Sequence, residues 1–296
     1  MVRLKFSIEL GYYIYDDAAD FIFNIHAAET RRQKVLSEKL TTSQNLATEV
    51  YTDPTYGTRF MRLRGNNGPL TVRYEATVDI DHHVEEGGKL EEMAIASLPL
   101  SALPYIYPSR YCQSDRLNKF AFTEFGNMEP GYSRVKAIQD WCRSRTKFMS
   151  GSSNGSTSAV DTIIEQAGVC RDFAHLMIAL CRTMNIPARF VSGIDYGADP
   201  KLGPTDFHAY VEVMLSGRWY TFDPSGVSPP MGLVRLGTGR DAADASFATV
   251  FGGVGSGAPV IEIEAIVDPA QGLELPFHRD DVLSTHGEPA YSTSAS

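Results

Sequence analysis

Three side chains in the second half of the chain, Cys170, His208 and Asp223, are of the types that perform covalent acyl transfer. Cys170 lies in the run Ala167-Gly168-Val169-Cys170-Arg171-Asp172-Phe173-Ala174-His175-Leu176, where a small-residue turn feeds a helix and sets a thiol in its first turn. Unpaired amide N–H groups and the positive end of a helix dipole favour thiolate over thiol, and a thiolate attacks a carbonyl carbon far better. Asp206-Phe207-His208-Ala209-Tyr210 offers a base, and Thr221-Phe222-Asp223-Pro224 offers an acid to orient it. Singly, such residues more often fill a core, bond a backbone or begin a turn. Jointly they are the nucleophile, base and orienter that acyl transfer requires.

The elements that must position them are legible from periodicity. After Cys170, the residues Phe173, Ala174, Met177, Leu180, Cys181 and Met184 recur at three- and four-residue steps, so the thiol sits at the edge of a buried helix face. That helix ends at Asn185-Ile186-Pro187. His175 lies roughly 140° round the helix from Cys170 and is read as a structural hydrogen bonder, not a partner of the thiol. In the strand 207–215, Phe207, Ala209, Val211, Val213 and Leu215 form a core face, while His208, Tyr210, Glu212 and Met214 face a site or solvent. If Ser216-Gly217 closes a short hairpin, Met214 opposes Trp219, Glu212 opposes Thr221 and Tyr210 opposes Asp223. His208 and Asp223 are then diagonal neighbours on one face, and a one-residue slip would separate them. The scattered Cys, His and Asp lack the paired spacing of a metal site, and no D-x-[DN]-x-[DN]-G calcium loop is present, so neither metal nor cofactor is expected.

The chain has 296 residues, 43% hydrophobic and 10% aromatic, enough for one large or two ordinary globular domains. Its net charge of −9, from 36 acidic and 27 basic side chains without long single-sign runs, disfavours a nucleic-acid partner. The N-terminus alternates and carries charge where a signal peptide has a continuous apolar core, and no stretch approaches a membrane span, so a cytoplasmic location is expected. Cys112, Cys142, Cys170 and Cys181 form no disulfide framework and are read as reduced thiols.

From Arg3 to about His82 the hydrophobic period is near two, which predicts a β-sandwich over residues 1–100, with Asp16-Asp17 and Gly65-Asn66-Asn67-Gly68 as turns between strands. The proline-spaced segment Leu98 to Pro108 predicts a connector laid along the next domain, with a boundary near Ser101. Residues 101–270 predict the catalytic core. Its expected parts are a helix after Pro130-Gly131, an exposed Ser/Gly-rich loop over 150–158, a short helix over 159–166, the Cys170 helix, and strands over 188–194, 207–215, 218–223 and 260–267. Residues 271–296 are read as a tail, disordered from His286 onward.

Gly168-Val169-Cys170-Arg171-Asp172-Phe173-Ala174-His175-Leu176, Ile186-Pro187-Ala188-Arg189-Phe190-Val191-Ser192-Gly193, His208-Ala209-Tyr210-Val211-Glu212-Val213 and Phe222-Asp223-Pro224 together resemble the core of the bacterial transglutaminase-like family, often described as cysteine proteases. Gly239-Arg240-Asp241-Ala242-Ala243-Asp244 resembles a downstream family segment, in which Asp241 and Asp244 are read as structural. The resemblance implies an α+β, papain-like core, with a Cys170 helix packed on an antiparallel sheet that carries His208 and Asp223, preceded by a β domain. By position, Cys170 would be nucleophile, His208 general base and then acid, and Asp223 the orienter. Arg171 stands where a Gln or aromatic is usual and Tyr210 where tryptophan is frequent; both are expected beside the substrate groove. The expected activity is hydrolysis of peptide or related amide bonds through a thioester, with a peptide or protein amide as substrate. Protein-glutamine transglutamination and an inert binding module that keeps the fold are the alternatives.

Overall fold

The computed structural model describes residues 1–54, 56–199, 201 and 205–287. Strands β1 (Val2–Phe23), β2 (Gln33–Thr42), β3 (Thr48–Thr52) and β4 (Arg59–Ile80) come first, then β5 (His83–Glu85). Helices α1 (Asn118–Phe125) and α2 (Tyr132–Arg145) follow, then β6 (Lys147–Phe148), α3 (Ala159–Glu165), β7 (Ala167–Gly168) and α4 (Cys170–Thr183). The remainder is β8 (Ala188–Asp195), β9 (Phe207–Leu215), β10 (Arg218–Phe222), β11 (Leu233–Gly239), β12 (Ala248–Phe251), β13 (Val254–Ser256), β14 (Val260–Ile266) and β15 (Val282–Ser284).

The N-terminal body departs from the expected turns. Asp16-Asp17 and Gly65–Gly68 do not separate strands: β1 and β4 run through them, paired antiparallel, with a register shift between Ile14 and Ala18. The Asn67 side-chain amide donates to the carbonyls of Ile14, Tyr15 and Asp16 at 3.0–3.1 Å. Asn, Asp and Gly tolerate the backbone of a turn, and the same tolerance builds an irregularity inside a strand. The irregularity reverses the side-chain parity. The buried series Leu4, Phe6, Ile8, Leu10, Tyr12 and Ile14 continues as Ala19, Phe21 and Phe23. The sheet folds back on itself, and the Tyr12 ring meets Phe21 at 5.1 Å and Phe23 at 5.9 Å. Both layers therefore come from one hydrogen-bonded sheet, which β12, β13 and β14 complete by pairing with β1.

The second sheet has the order β11-β8-β9-β10-β15-β5. Helix α4 lies across it: Ala174, Met177, Ile178 and Cys181 share one core with Phe190, Val211, Val213 and Leu215. The short helix α3 starts where Ser158 and Asp161 cap one another and stops at Gln166, whose φ is 53°. The segment after Leu98 forms a 3-10 helix, Leu100–Tyr105, and packs Leu98, Ala102 and Tyr105 against Met214 and Trp219. The β9 face expected to meet a site or solvent is instead buried: the 3-10 segment covers Met214, Arg189 and Arg235 enclose Glu212, and Tyr210 packs with Val191 and Leu233. Of the tail expected to be disordered, residues 288–296 lie outside the described residues. No helix among the described residues is long and apolar enough to cross a membrane.

Candidate active site

Local chemistry fixes the thiol first. The Val169 N–H donates to Asp172 Oδ2 at 2.9 Å, and the Asp172 N–H donates to the Val169 carbonyl at 2.8 Å, so the chain is clamped at the first turn of α4. Gly168 is needed there because a Cβ on it would lie 2.7 Å from the Asp172 Cβ. Cys170 is half-buried, while Cys112, Cys142 and Cys181 are fully buried. Burial pushes the Cys112 thiol up to about 12 and those of Cys142 and Cys181 well above the ordinary range, so these three are inert core residues. Arg171 reaches over to the Ser153 hydroxyl at 3.1 Å and the Asn154 carbonyl at 2.8 Å, which draws the 150–158 loop against the start of α4.

The hairpin positions the other two. Ser216 and Gly217 have φ of 46° and 79°, the double left-handed pair of a tight two-residue turn. Met214 consequently opposes Trp219 and Glu212 opposes Thr221, the expected register. His208 Nε2 lies 3.3 Å from Asp223 Oδ2, with both side chains almost wholly buried. Asp223 Oδ1 accepts from the Ser225 N–H at 3.0 Å and its hydroxyl at 2.6 Å, and Arg143 of α2 donates to the Asp223 carbonyl at 3.2 Å. The Cys170 sulfur lies 3.9 Å from the Phe207 carbonyl oxygen, one residue before His208, and Cys170 and His208 line the same cleft. The structure thus brings Cys170, His208 and Asp223 together at one end of the sheet.

Burial works against charge on His208, but the carboxylate of Asp223, with help from Cys170, outweighs it and holds the imidazole well above its ordinary range. Burial likewise works against charge on Asp223, and His208 and Ser225 overcome it, so the carboxyl sits below its usual value. The two shifts have one source, an ion pair kept from water.

Cys170, Arg171, His208 and Asp195 open onto a cleft of about 1040 Å³. One wall is aromatic, with Phe207 and Phe247 stacked at 4.1 Å between centroids. Arg171 borders this cleft as expected, whereas Tyr210 does not: it is fully buried with Val191 and Leu233. The alternation of β9 places Tyr210 two positions from His208, but β8 and β11 cover it there. His175 is buried and structural, stacked on Tyr111 at 4.9 Å and accepting the Ala242 N–H at 3.1 Å. Asp241 accepts the Tyr111 N–H and Asp244 pairs with Arg240, both as scaffolding. Asp195, Ser225 and Arg143 were not singled out from the sequence. Asp195 ends a strand, and only the pairing of β8 with β9 brings it to His208; Ser225, in Asp223-Pro224-Ser225-Gly226, carried the signal of an Asx turn.

A helix-borne thiol beside an imidazole–carboxylate pair, on a sheet open at that end, defines a papain-like cysteine enzyme. Residues 119–224 match the transglutaminase-like superfamily core and residues 2–101 the bacterial transglutaminase N-terminal domain. The fold superimposes on the crystal structure of a "Putative Cysteine Protease" from Cytophaga hutchinsonii with a TM-score of 0.88 and 39% identity, covering 96% of this chain and 97% of that one. The Mycobacterium leprae protein ML0607 is 26% identical over 281 residues, covering 90% of this chain and 98% of its own. The Mycobacterium tuberculosis protein Rv2569c is 27% identical over 142 residues, covering 44% of this chain and 45% of its own. The chain belongs to the transglutaminase-like superfamily.

Proposed function

We propose that the protein is a cysteine-dependent acyl-transfer enzyme that hydrolyses peptide or related amide bonds through a thioester, with Cys170 as nucleophile, His208 as acid and base and Asp223 as orienter. The observation that carries this reading is the half-buried Cys170 at the start of α4, in the same cleft as an imidazole held charged by a buried carboxylate. The thiolate attacks the amide carbonyl carbon, and the Cys170 N–H, which has no intrahelical acceptor at the first helical position, donates to the developing oxyanion. The C–N bond breaks as His208 gives its proton to the departing amine, leaving an acyl-thioester. Water then attacks the thioester while His208 takes its proton, and the acid leaves as thiolate and imidazolium are restored.

The test is a screen of peptide and amide substrates with and without an added primary amine, comparing wild type with Cys170→Ala. Amide hydrolysis that the substitution abolishes supports the reading. Product formed only with the amine identifies a transglutaminase instead. If iodoacetamide labels Cys170 no faster than Cys112 or Cys181 at neutral pH, the nucleophile assignment fails.

A further inference from the structure

His208 has a second carboxylate beside it. Its Nε2 edge meets Asp223, and its Nδ1 lies 3.5 Å from Asp195 Oδ2. The pairing of β8 with β9 explains the approach. Gly193 is opposite His208 and Ile194 opposite Phe207, so Asp195, two residues past Gly193, projects from the same face and reaches the ring diagonally. Asp223 arrives from the end of β10, on the other flank of β9. The imidazole is held between one carboxylate from β8 and one from just after β10, the two strands that flank β9.

The two are not equivalent. Asp195 lines the cleft with Cys170 and His208, and Asp223 does not. With Nε2 turned to Asp223, the proposed reaction assigns Nδ1, on the edge shared with Asp195, to Cys170 and to the departing amine. Asp195 therefore stands at the edge where the proton moves. We propose that Asp195 is a positioning residue for the acyl-transfer reaction: its carboxylate holds the Nδ1 edge of His208 in the cleft and keeps that nitrogen protonated beside Cys170. This rests on the reading of His208 as acid and base for Cys170.

The charged and titratable groups that face the ring are Cys170 from α4, Asp195 from β8 and Asp223 after β10, with Arg143 from α2 bonded to the Asp223 carbonyl. Burial raises the Asp195 carboxyl above its usual range, while His208 and the neighbouring Ser228 pull it down. Ionised, Asp195 adds negative charge next to the imidazole and favours imidazolium.

Histidine-selective ¹⁵N labelling lets the His208 titration be followed by NMR in wild type, Asp195→Asn and Asp223→Asn. We expect Asp195→Asn to move the His208 midpoint to lower pH, as Asp223→Asn does. On any amide substrate found, kcat should fall about tenfold with KM within about twofold, because a proton in flight is affected more than substrate binding. If Asp195→Asn does not fold, Asp195→Ser carries the same test with a small polar side chain. A folded variant whose His208 midpoint matches wild type overturns the proposal, since a purely structural Asp195 would leave the titration in place. A shifted midpoint in a protein that turns over no amide keeps the Asp195–His208 coupling and removes the acyl-transfer reading, so the two failures are distinguishable.

Discussion

Asp223→Asn keeps the shape of the side chain and removes its charge, which isolates the ion pair from the packing around it. The remaining Asn can still accept from Ser225, so the turn after β10 is retained. His208 loses the carboxylate that outweighs its burial, and its midpoint falls. We expect amide hydrolysis to drop by about 10²- to 10⁴-fold, measured as kcat, in proportion to the loss of orientation and imidazolium stabilisation. Stability should change in a defined pH window. The folded-state value of His208 is raised, so its contribution is complete below the ordinary histidine range and is lost as pH rises through the raised value. The folded-state value of Asp223 is lowered, so its contribution is present above the ordinary aspartate range and is lost as pH falls through the lowered value. Denaturant unfolding against pH should accordingly show the largest gap between wild type and Asp223→Asn in the weakly acid range, where both contributions are present.

At the scale of elements, the hairpin is what converts two distant sequence positions into one ion pair. Its turn depends on left-handed backbone at Ser216 and Gly217. Gly217→Val places a β-branched side chain at a φ of 79° and should cost about 1–2 kcal/mol, seen as a lower melting temperature. The register is also held by β8 on the other side of β9, so activity should survive at temperatures where the variant is folded. These local features were legible in the sequence because each depends on a short window: the helix on its three- and four-residue steps, the β9–β10 pairing on a two-residue turn. The double strand of β1 and β4 was misread because Asp16-Asp17 and Gly65–Gly68 carry turn chemistry, and a bulge uses the same chemistry without ending a strand. Asp195 was invisible for a different reason. Its meeting with His208 depends on the β8–β9 register, and β8 ends at Asp195 while β9 starts at Phe207, a separation in sequence too long for the length of a tight turn to fix the pairing. The burial of Tyr210 and Glu212 was missed because alternation says which residues share a face and not what covers that face.

The whole molecule is joined through that covered face. Glu212, fully buried on β9, is shared by Arg189 of β8, whose Nε donates to it at 2.7 Å, and by Arg235 of β11. Arg189 stacks over Trp219 at 4.2 Å and over Tyr56 of the N-terminal body at 4.9 Å. The backbone of Arg235 is bonded to Gln33 and Ala28 of that body, and its guanidinium to Thr285 after β15. One carboxylate thus compensates two guanidinium groups at the point where both sheets, the 56–58 loop and the C-terminal segment converge. Burial lowers Arg189 and Arg235 to about 10, a sign that their surroundings do not fully replace water. Glu212→Gln would remove the carboxylate that pairs directly with both arginines. Breaking a buried pair in this way costs about 3–5 kcal/mol. In a chain of this size the melting temperature should fall by roughly 6–20 °C. Because the cluster ties the bodies together, calorimetry should show either one transition at lower temperature or a split in which the N-terminal body unfolds separately. A Glu212→Gln protein that melts within a degree or two of wild type would mean that solvent reaches the arginines, and that the two bodies are held by apolar packing alone.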